Sequence, residues 1–261
     1  MEPTKSVVYK TAGEHELKLH IFNPENHRSD ASTPAIVFFF GGGWNGGTPS
    51  QFYPHCEYLA SRGMVAISAE YRVKTRHNTS PFECVKDGKS TIRWVRSHAA
   101  ELGIDPDLLA AGGGSAGGHV AAATGTIEPF NEADEDTAIS AKPNALVLFN
   151  PVYDNGPDGW GHDRVADHWE EFSPMHNIGQ NTPPTIVFLG TEDSLIPVAT
   201  AEKYKKLMEE AGGRCDLHLY EGQPHGFFNH RDGQSEFYAP TVREADRFLK
   251  SLGYLEGDPT L

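Results

Sequence analysis

Short apolar runs alternate along the chain with stretches of helical periodicity. Near the start, Ser6–Lys10 and His15–Phe22 flank Ala12-Gly13-Glu14. In the second run His15, Leu17, Leu19 and Ile21 alternate with Glu16, Lys18 and His20, as in a strand wet on one face, and the pair predicts an antiparallel hairpin. Later runs are Ala35–Phe40, Val65–Tyr71, Leu108–Ala111, Ala145–Asn150, Thr185–Gly190 and Cys215–Glu221. Their near-continuous apolar character predicts strands buried on both faces of a parallel sheet. Between them, Glu83–Leu102 repeats Val85, Ile92, Val95 and Ala99 at helical spacing before the stop at Gly103. Ala199–Ala211, ended by Gly212-Gly213, and Ser235–Leu252 predict two further helices. Strands alternating with helices predict a single α/β domain over residues 1–261. Pro151–Pro184 breaks the rhythm with Asn155-Gly156-Pro157, Gly159-Trp160-Gly161 and Ser173-Pro174, and its aromatics Trp160, Trp169 and Phe172 suggest a lid.

Charge narrows the partners. A formal net charge of −14 argues against nucleic acid, whose phosphates need clustered Lys and Arg. No apolar run approaches the roughly 18 residues that a membrane helix needs, so a membrane partner is not expected. Cys56, Cys84 and Cys215 are sparse and odd in number, which reads as reduced thiols. The opening Met1-Glu2-Pro3-Thr4-Lys5 has no basic region followed by an apolar stretch, and the expectation is a cytoplasmic protein.

Two glycine-rich turns follow predicted strands. Gly41-Gly42-Gly43-Trp44-Asn45-Gly46 and Gly112-Gly113-Gly114-Ser115-Ala116-Gly117 both satisfy the dinucleotide fingerprint, with Glu70 at a plausible distance. That reading needs the third glycine inside an opening helix. Here Gly47-Thr48-Pro49-Ser50 delays any helix, and Trp44 stands where backbone would approach a pyrophosphate. The second turn also contains Gly113-Gly114-Ser115-Ala116-Gly117, the nucleophile-elbow pattern, between a buried strand and a small-residue helix, Ala116–Thr124. A serine hydroxyl needs a base held by a carboxylate. Asp193 and His225 both fall just past the ends of predicted strands, in the order Ser, Asp, His that this elbow requires. Glu192 is the weaker choice of acid, and His119 reads as a packed residue. His162-Asp163 with His168 is the densest histidine group, but it lacks zinc-ligand spacing, so neither metal nor cofactor is expected.

These residues resemble the hormone-sensitive-lipase-like esterases of the α/β-hydrolase superfamily, closest in size to the compact feruloyl and acetyl esterase-like members. The matching blocks are Phe40-Gly41-Gly42-Gly43-Trp44, Ala69-Glu70-Tyr71-Arg72, Asp87 to Trp94, Gly103-Ile104-Asp105-Pro106, the elbow, Gly190-Thr191-Glu192-Asp193 and His225-Gly226-Phe227. The resemblance implies an eight-stranded, mostly parallel sheet with helices on both faces, and no cofactor. It implies Ser115 as nucleophile, His225 as general base and acid, and Asp193 as the orienting carboxylate. The backbone N–H groups of Gly42, Gly43 and Ala116 would form the oxyanion hole. Two departures stand out. Phe40 replaces the family's usual His, which puts the bracing of the glycine loop in doubt. The hairpin begins almost at Met1, leaving no room for the family's N-terminal cap and making 151–184 the lid candidate.

The expected function is a serine carboxylesterase cleaving short-acyl esters of a small molecule or saccharide, acetylated or feruloylated sugars included. Trp44, Trp160, Trp169 and Phe227 are the candidate substrate contacts. An arylformamidase-like amidase and a non-catalytic binding protein on the same scaffold are the alternatives.

Overall fold

The strands form where the apolar runs predict them: β1 (Lys5–Ala12), β2 (His15–Phe22), β3 (Thr33–Phe39), β4 (Val65–Ala69), β5 (Ile104–Gly114), β6 (Ala145–Phe149), β7 (Thr185–Gly190) and β8 (Cys215–Tyr220). In the computed structural model, which describes residues 1–231 and 236–261, they make one sheet in the order β1-β2-β4-β3-β5-β6-β7-β8. The β1–β2 hairpin and the β2–β4 pair are antiparallel, and every other neighbouring pair is parallel. Five longer helices cover the sheet: α1 (Tyr53–Ser61), α2 (Pro81–Ser97), α3 (Ala116–Thr126), α4 (Val198–Glu210) and α5 (Tyr238–Ser251).

Alternation along each strand feeds two cores. Val37, Phe39, Leu146 and Leu148 pack with Val85 and Ile92 of α2, Val120 of α3 and Tyr204 of α4. Ile36, Phe38, Val147 and Phe149 pack on the other face with Cys56 and Leu59 of α1 and Phe248 of α5. A strand with a core on each side has no wet face, so its sequence reads as an unbroken apolar run.

Several boundaries differ from the sequence expectation. β4 stops at Ala69: the Glu70 N–H still donates to the Lys18 carbonyl in the β2 register, and beyond it the Tyr71 hydroxyl turns back to the Phe40 carbonyl. Arg72, next in line, donates from its backbone N–H, Nε and Nη2 to the buried Asp87 carboxylate, tying this segment to α2. The run Gly112-Gly113-Gly114 is strand rather than turn, pairing with Phe38, Phe39 and Phe149. Neighbouring rings occupy the space side chains would need: Phe38 lies 2.7 Å from where a Cβ on Gly112 would sit, and Phe228 lies 2.5 Å from one on Gly114. The predicted helix 83–102 divides at His98 into α2 and a single turn, Ala99–Leu102. α2 starts earlier, at Pro81, because Ser80 caps it and Glu83 accepts from the Ser80 N–H in a capping box. The predicted start of the last helix, Ser235, lies outside the described residues.

Residues 151–184 are not a free flap. They fold into short helical turns that bury Val165, Phe172 and Met175 against the sheet's first core. Among the described residues, no helix is long and apolar enough to cross a membrane.

Two histidines lie inside the protein. His55 sits among Phe38, Phe52, Phe149, Phe228 and Tyr238, and neither ring nitrogen has a hydrogen-bond partner among the described residues. Burial pushes it down from 6.5 to about 3. His119, whose Nε2 donates to the Phe172 carbonyl, is likewise pushed down by burial to about 3. Between pH 6.5 and 3 the unfolded chain binds these protons and the folded one does not, so stability falls as pH drops through that window. Each such histidine contributes a slope of up to about 1.4 kcal/mol per pH unit. In urea titrations between pH 7 and 4, His55→Phe should have a shallower acid dependence than the parent. Parallel curves would show that His55 does not carry it.

Candidate active site

β5 runs straight into Ser115, whose backbone turns to φ 54° and ψ −120° before α3 begins. For a residue with a side chain that conformation costs on the order of 1–3 kcal/mol, and it persists only where its surroundings impose it. Here the Ser115 N–H donates to the Phe149 carbonyl at 2.9 Å, while its own carbonyl accepts from His119 and Val152. Gly117 lets α3 close onto the end of β3: a Cβ there would lie 2.1 Å from the Phe39 carbonyl oxygen and 2.3 Å from that of Phe40.

The turns after β7 and β8 bring an acid and a histidine to this serine. Asp193 has a fully buried side chain, and its Oδ1 accepts from the Leu195 and Ile196 N–H groups at 2.8 and 3.0 Å. Its Oδ2 lies 2.7 Å from His225 Nδ1, and His225 Nε2 lies 2.9 Å from Ser115 Oγ. A carboxylate can only accept, so Nδ1 carries the proton and Nε2 is left to receive one from the hydroxyl. Glu192, the competing acid, is exposed, and among the described residues its hydrogen bond to the histidine turn runs from its backbone N–H to the Gln223 carbonyl. Asn150, fully buried at the end of β6, steadies the other side of the ring. Its Oδ1 accepts from the Gly226 N–H at 2.9 Å, and its Nδ2 lies 3.3 Å from His225 Nε2.

The first glycine run forms the opposite wall. Gly42 and Gly43 adopt φ of 132° and 61°, a region open to glycine and strained for other residues. The N–H groups of Gly42, Gly43 and Ala116 donate to no acceptor among the described residues. Phe40 does not leave this loop unsupported. Its ring is fully buried and stacks on Tyr71 at 4.2 Å, and the Tyr71 hydroxyl donates to the Phe40 carbonyl at 2.5 Å. Gln51 completes the brace: Gly41 N–H donates to its Oε1 at 2.6 Å, and its Nε2 donates to Asn229 Oδ1 at 2.8 Å. Asn229 Nδ2 then donates to the Gly226 carbonyl, so two amide side chains connect the glycine loop to the histidine turn.

The four expected substrate contacts separate. Trp44 is 1% exposed, packed edge-on against His119 and flanked by Trp160 and Phe172, and it also lines the cavity beside Gly43. Phe227 is also buried, in the second core beside Tyr220 and Phe237. Trp160 is half-buried and covers Gly43, where an added Cβ would meet its ring at 3.2 Å. Trp169, also half-buried, packs edge-on against His176 within the insertion. A cavity of about 550 Å³ opens beside Gly43, walled by Asn45, Lys74, Asn78, Ser80, Asp163 and Arg164. Asn150, Gln51, Asn229 and Arg164 escape the sequence reading. Only Asn150 carries a signal, as the polar residue closing an apolar run.

Two family models match the chain: BD-FAE over residues 19–155 and the dienelactone hydrolase family over residues 164–253. The apo form of Thermogutta terrifontis esterase 2 superposes with a TM-score of 0.93 at 45% sequence identity, covering 97% of this chain and 96% of that one. Esterase LipC of Mycobacterium tuberculosis is 28% identical over 216 residues, 74% of this chain and 53% of that protein. Acetylxylan esterase of Xylanibacter ruminicola is 29% identical over 226 residues, 79% of this chain and 42% of that protein. The chain thus spans about half the length of the curated relatives it matches.

The amide brace makes a quantitative expectation. Gln51→Met keeps the side chain's length but leaves the Gly41 N–H and Asn229 Oδ1 without their partner, which costs about 1–3 kcal/mol per buried group. Labelling of Ser115 by a fluorophosphonate should slow by about tenfold, the equivalent of about 1.4 kcal/mol in the barrier. An unchanged labelling rate in a folded variant would remove Gln51 from the site's support.

Proposed function

This chain belongs to the BD-FAE family of α/β-hydrolase serine esterases, and we propose that it is a carboxylesterase working through an acyl-enzyme on Ser115. The observation that carries the reading is the relay from Asp193 through His225 to Ser115, beside a glycine loop and helix start whose Gly42, Gly43 and Ala116 N–H groups have no acceptor among the described residues. In the first half-reaction the Ser115 hydroxyl passes its proton to His225 Nε2 as Oγ bonds to the ester carbonyl carbon. The oxygen gains negative charge and is received by the Gly42, Gly43 and Ala116 amides. Collapse breaks the bond to the alcohol oxygen, which leaves with the proton from Nε2. Water then repeats the sequence on the acyl-enzyme, giving its proton to Nε2, and the carboxylic acid departs as Ser115 is restored. Asp193 stays ionised throughout and stabilises the imidazolium that forms each time. Preorganised donors of this kind are worth about 10²–10³ in turnover each.

Short acyl groups are the proposed substrates. Trp160 lies over Gly43, and Thermogutta terrifontis esterase 2 has been solved with propionate and with butyrate bound. The same neighbour has been solved phosphorylated by paraoxon, the outcome expected of an activated serine. For the alcohol portion we favour a sugar. The cavity beside Gly43 is walled by hydrogen-bonding side chains, and one relative is an acetylxylan esterase.

Wild-type protein should hydrolyse p-nitrophenyl acetate and butyrate well and the octanoate poorly, with sugar acetates among its substrates. Ser115→Ala should lose all of these activities. Hydrolysis that survives the substitution would remove Ser115 from the nucleophile's role, and an octanoate preference would overturn the short-acyl reading.

A further inference from the structure

Among the contacts of the 151–184 insertion with the glycine loop, one side chain makes a hydrogen bond to its backbone. Arg164 donates from Nη1 to the Gly43 carbonyl oxygen at 2.5 Å. Its guanidinium carbon lies 4.7 Å from the centroid of the Trp160 ring and 5.9 Å from that of Trp44. Trp160 itself covers Gly43, so the ring and the guanidinium close on the same residue. The insertion is built to hold them there. Asn155, fully buried, donates from Nδ2 to the Trp160 carbonyl at 3.0 Å, and its own carbonyl lies 2.9 Å from His162 Nδ1. Its backbone N–H donates to Ser173 Oγ at 3.0 Å, which anchors the turn to the buried part of the insertion.

A glycine pair at positive φ has little intrinsic preference for any one conformation; part of its geometry comes from the loop itself, where the Asn45 and Gly46 N–H groups donate to the Gly42 carbonyl at 3.0 and 3.2 Å, and the rest from contacts outside it. Gln51 and Tyr71 hold the loop's entry at Gly41 and Phe40. At Gly43 it is Arg164 that takes the carbonyl. Holding that carbonyl restrains the 43–44 peptide and, through ψ of Gly43, its orientation relative to the peptide that carries the Gly43 N–H. An arginine suits the task because its planar head can donate in its own plane while stacking on an indole, whereas a lysine supplies only the donor.

We propose that Arg164 is a positioning residue for the Gly42 and Gly43 amides, so that the insertion is part of the oxyanion hole's support and not merely a cover. The inference rests on the reading that these amides receive the developing oxyanion. The charged head is exposed, and Arg164→Met, which keeps much of the stem, should fold with an unchanged thermal midpoint. Two measurements on the full chain test the brace. In hydrogen exchange, peptides spanning residues 40–47 should exchange faster in Arg164→Met than in the parent, with Arg164→Lys close to the parent. On p-nitrophenyl acetate, Arg164→Met should lower kcat by about tenfold, short of the 10²–10³ for deleting a donor outright, with KM within about twofold. Arg164→Lys should recover most of the loss. Unchanged exchange at residues 40–47 in Arg164→Met overturns the proposal whatever the activity. So does a raised KM at constant kcat, which would place Arg164 on the substrate instead. If the wild-type protein hydrolyses no ester, the esterase reading fails, and the exchange arm still decides whether Arg164 fixes the loop.

Discussion

Ser115 stands at φ 54° between a strand and a helix, and the contacts around it are best understood as what it takes to keep a side-chain-bearing residue there. The strand cannot continue, because α3 begins at the next residue; the helix cannot retreat, because Gly117 has already closed onto the carbonyls of Phe39 and Phe40. Phe149 and Val152, on the neighbouring strand and its exit, hold the serine's own peptide groups. The elbow is therefore clamped by β3 on one side and β6 on the other. Those are the two strands whose ends also deliver the glycine loop and Asn150. Strain of a few kcal/mol is a sizeable fraction of a domain's net stability, which is why so much of the sheet's upper edge is committed to it.

Against that frame, the parts legible in the sequence are those with a local or periodic signal. All eight strands overlap their predicted runs: β4, β6 and β7 because two-sided burial writes itself into consecutive residues, and β2 because its one wet face leaves an alternating pattern. Ser115, Asp193 and His225 could be found because each follows a strand end, and strand ends in such sheets converge. The glycines before the serine were harder to place. Three in a row suggest a turn, yet Gly112, Gly113 and Gly114 are paired strand residues, kept small by the Phe38 and Phe228 rings and by the returning helix. The distinction between a glycine that bends and a glycine that makes room is set by neighbours far along the chain.

The same limit explains what the sequence could not reveal about the site's periphery. Gln51 and Asn229 meet across 178 residues, and Arg164 meets Gly43 across 121. An amide or a guanidinium carries no pattern around it to announce such a partner. Trp44 and Phe227 stand beside motifs and are buried, so position next to a motif does not by itself tell a ring that meets substrate from one that fills the core. His55 belongs with them as a polar residue packed like an aromatic one, accepted by the fold only as a neutral ring.

The bond between Arg164 and Gly43 also bears on how this scaffold can change over time or in the laboratory. Loops above a parallel sheet are commonly treated as cassettes, exchanged to alter specificity while the strands beneath stay constant. Here the insertion and the glycine loop share a hydrogen bond, a stacked guanidinium and a covering indole. A transplanted 151–184 segment would arrive with its own shape but without a donor for the Gly43 carbonyl, unless Arg164 and the Asn155 turn that carries it travelled too. The two loops form one heritable unit, and shuffling at this edge of the fold has its natural crossover points outside both.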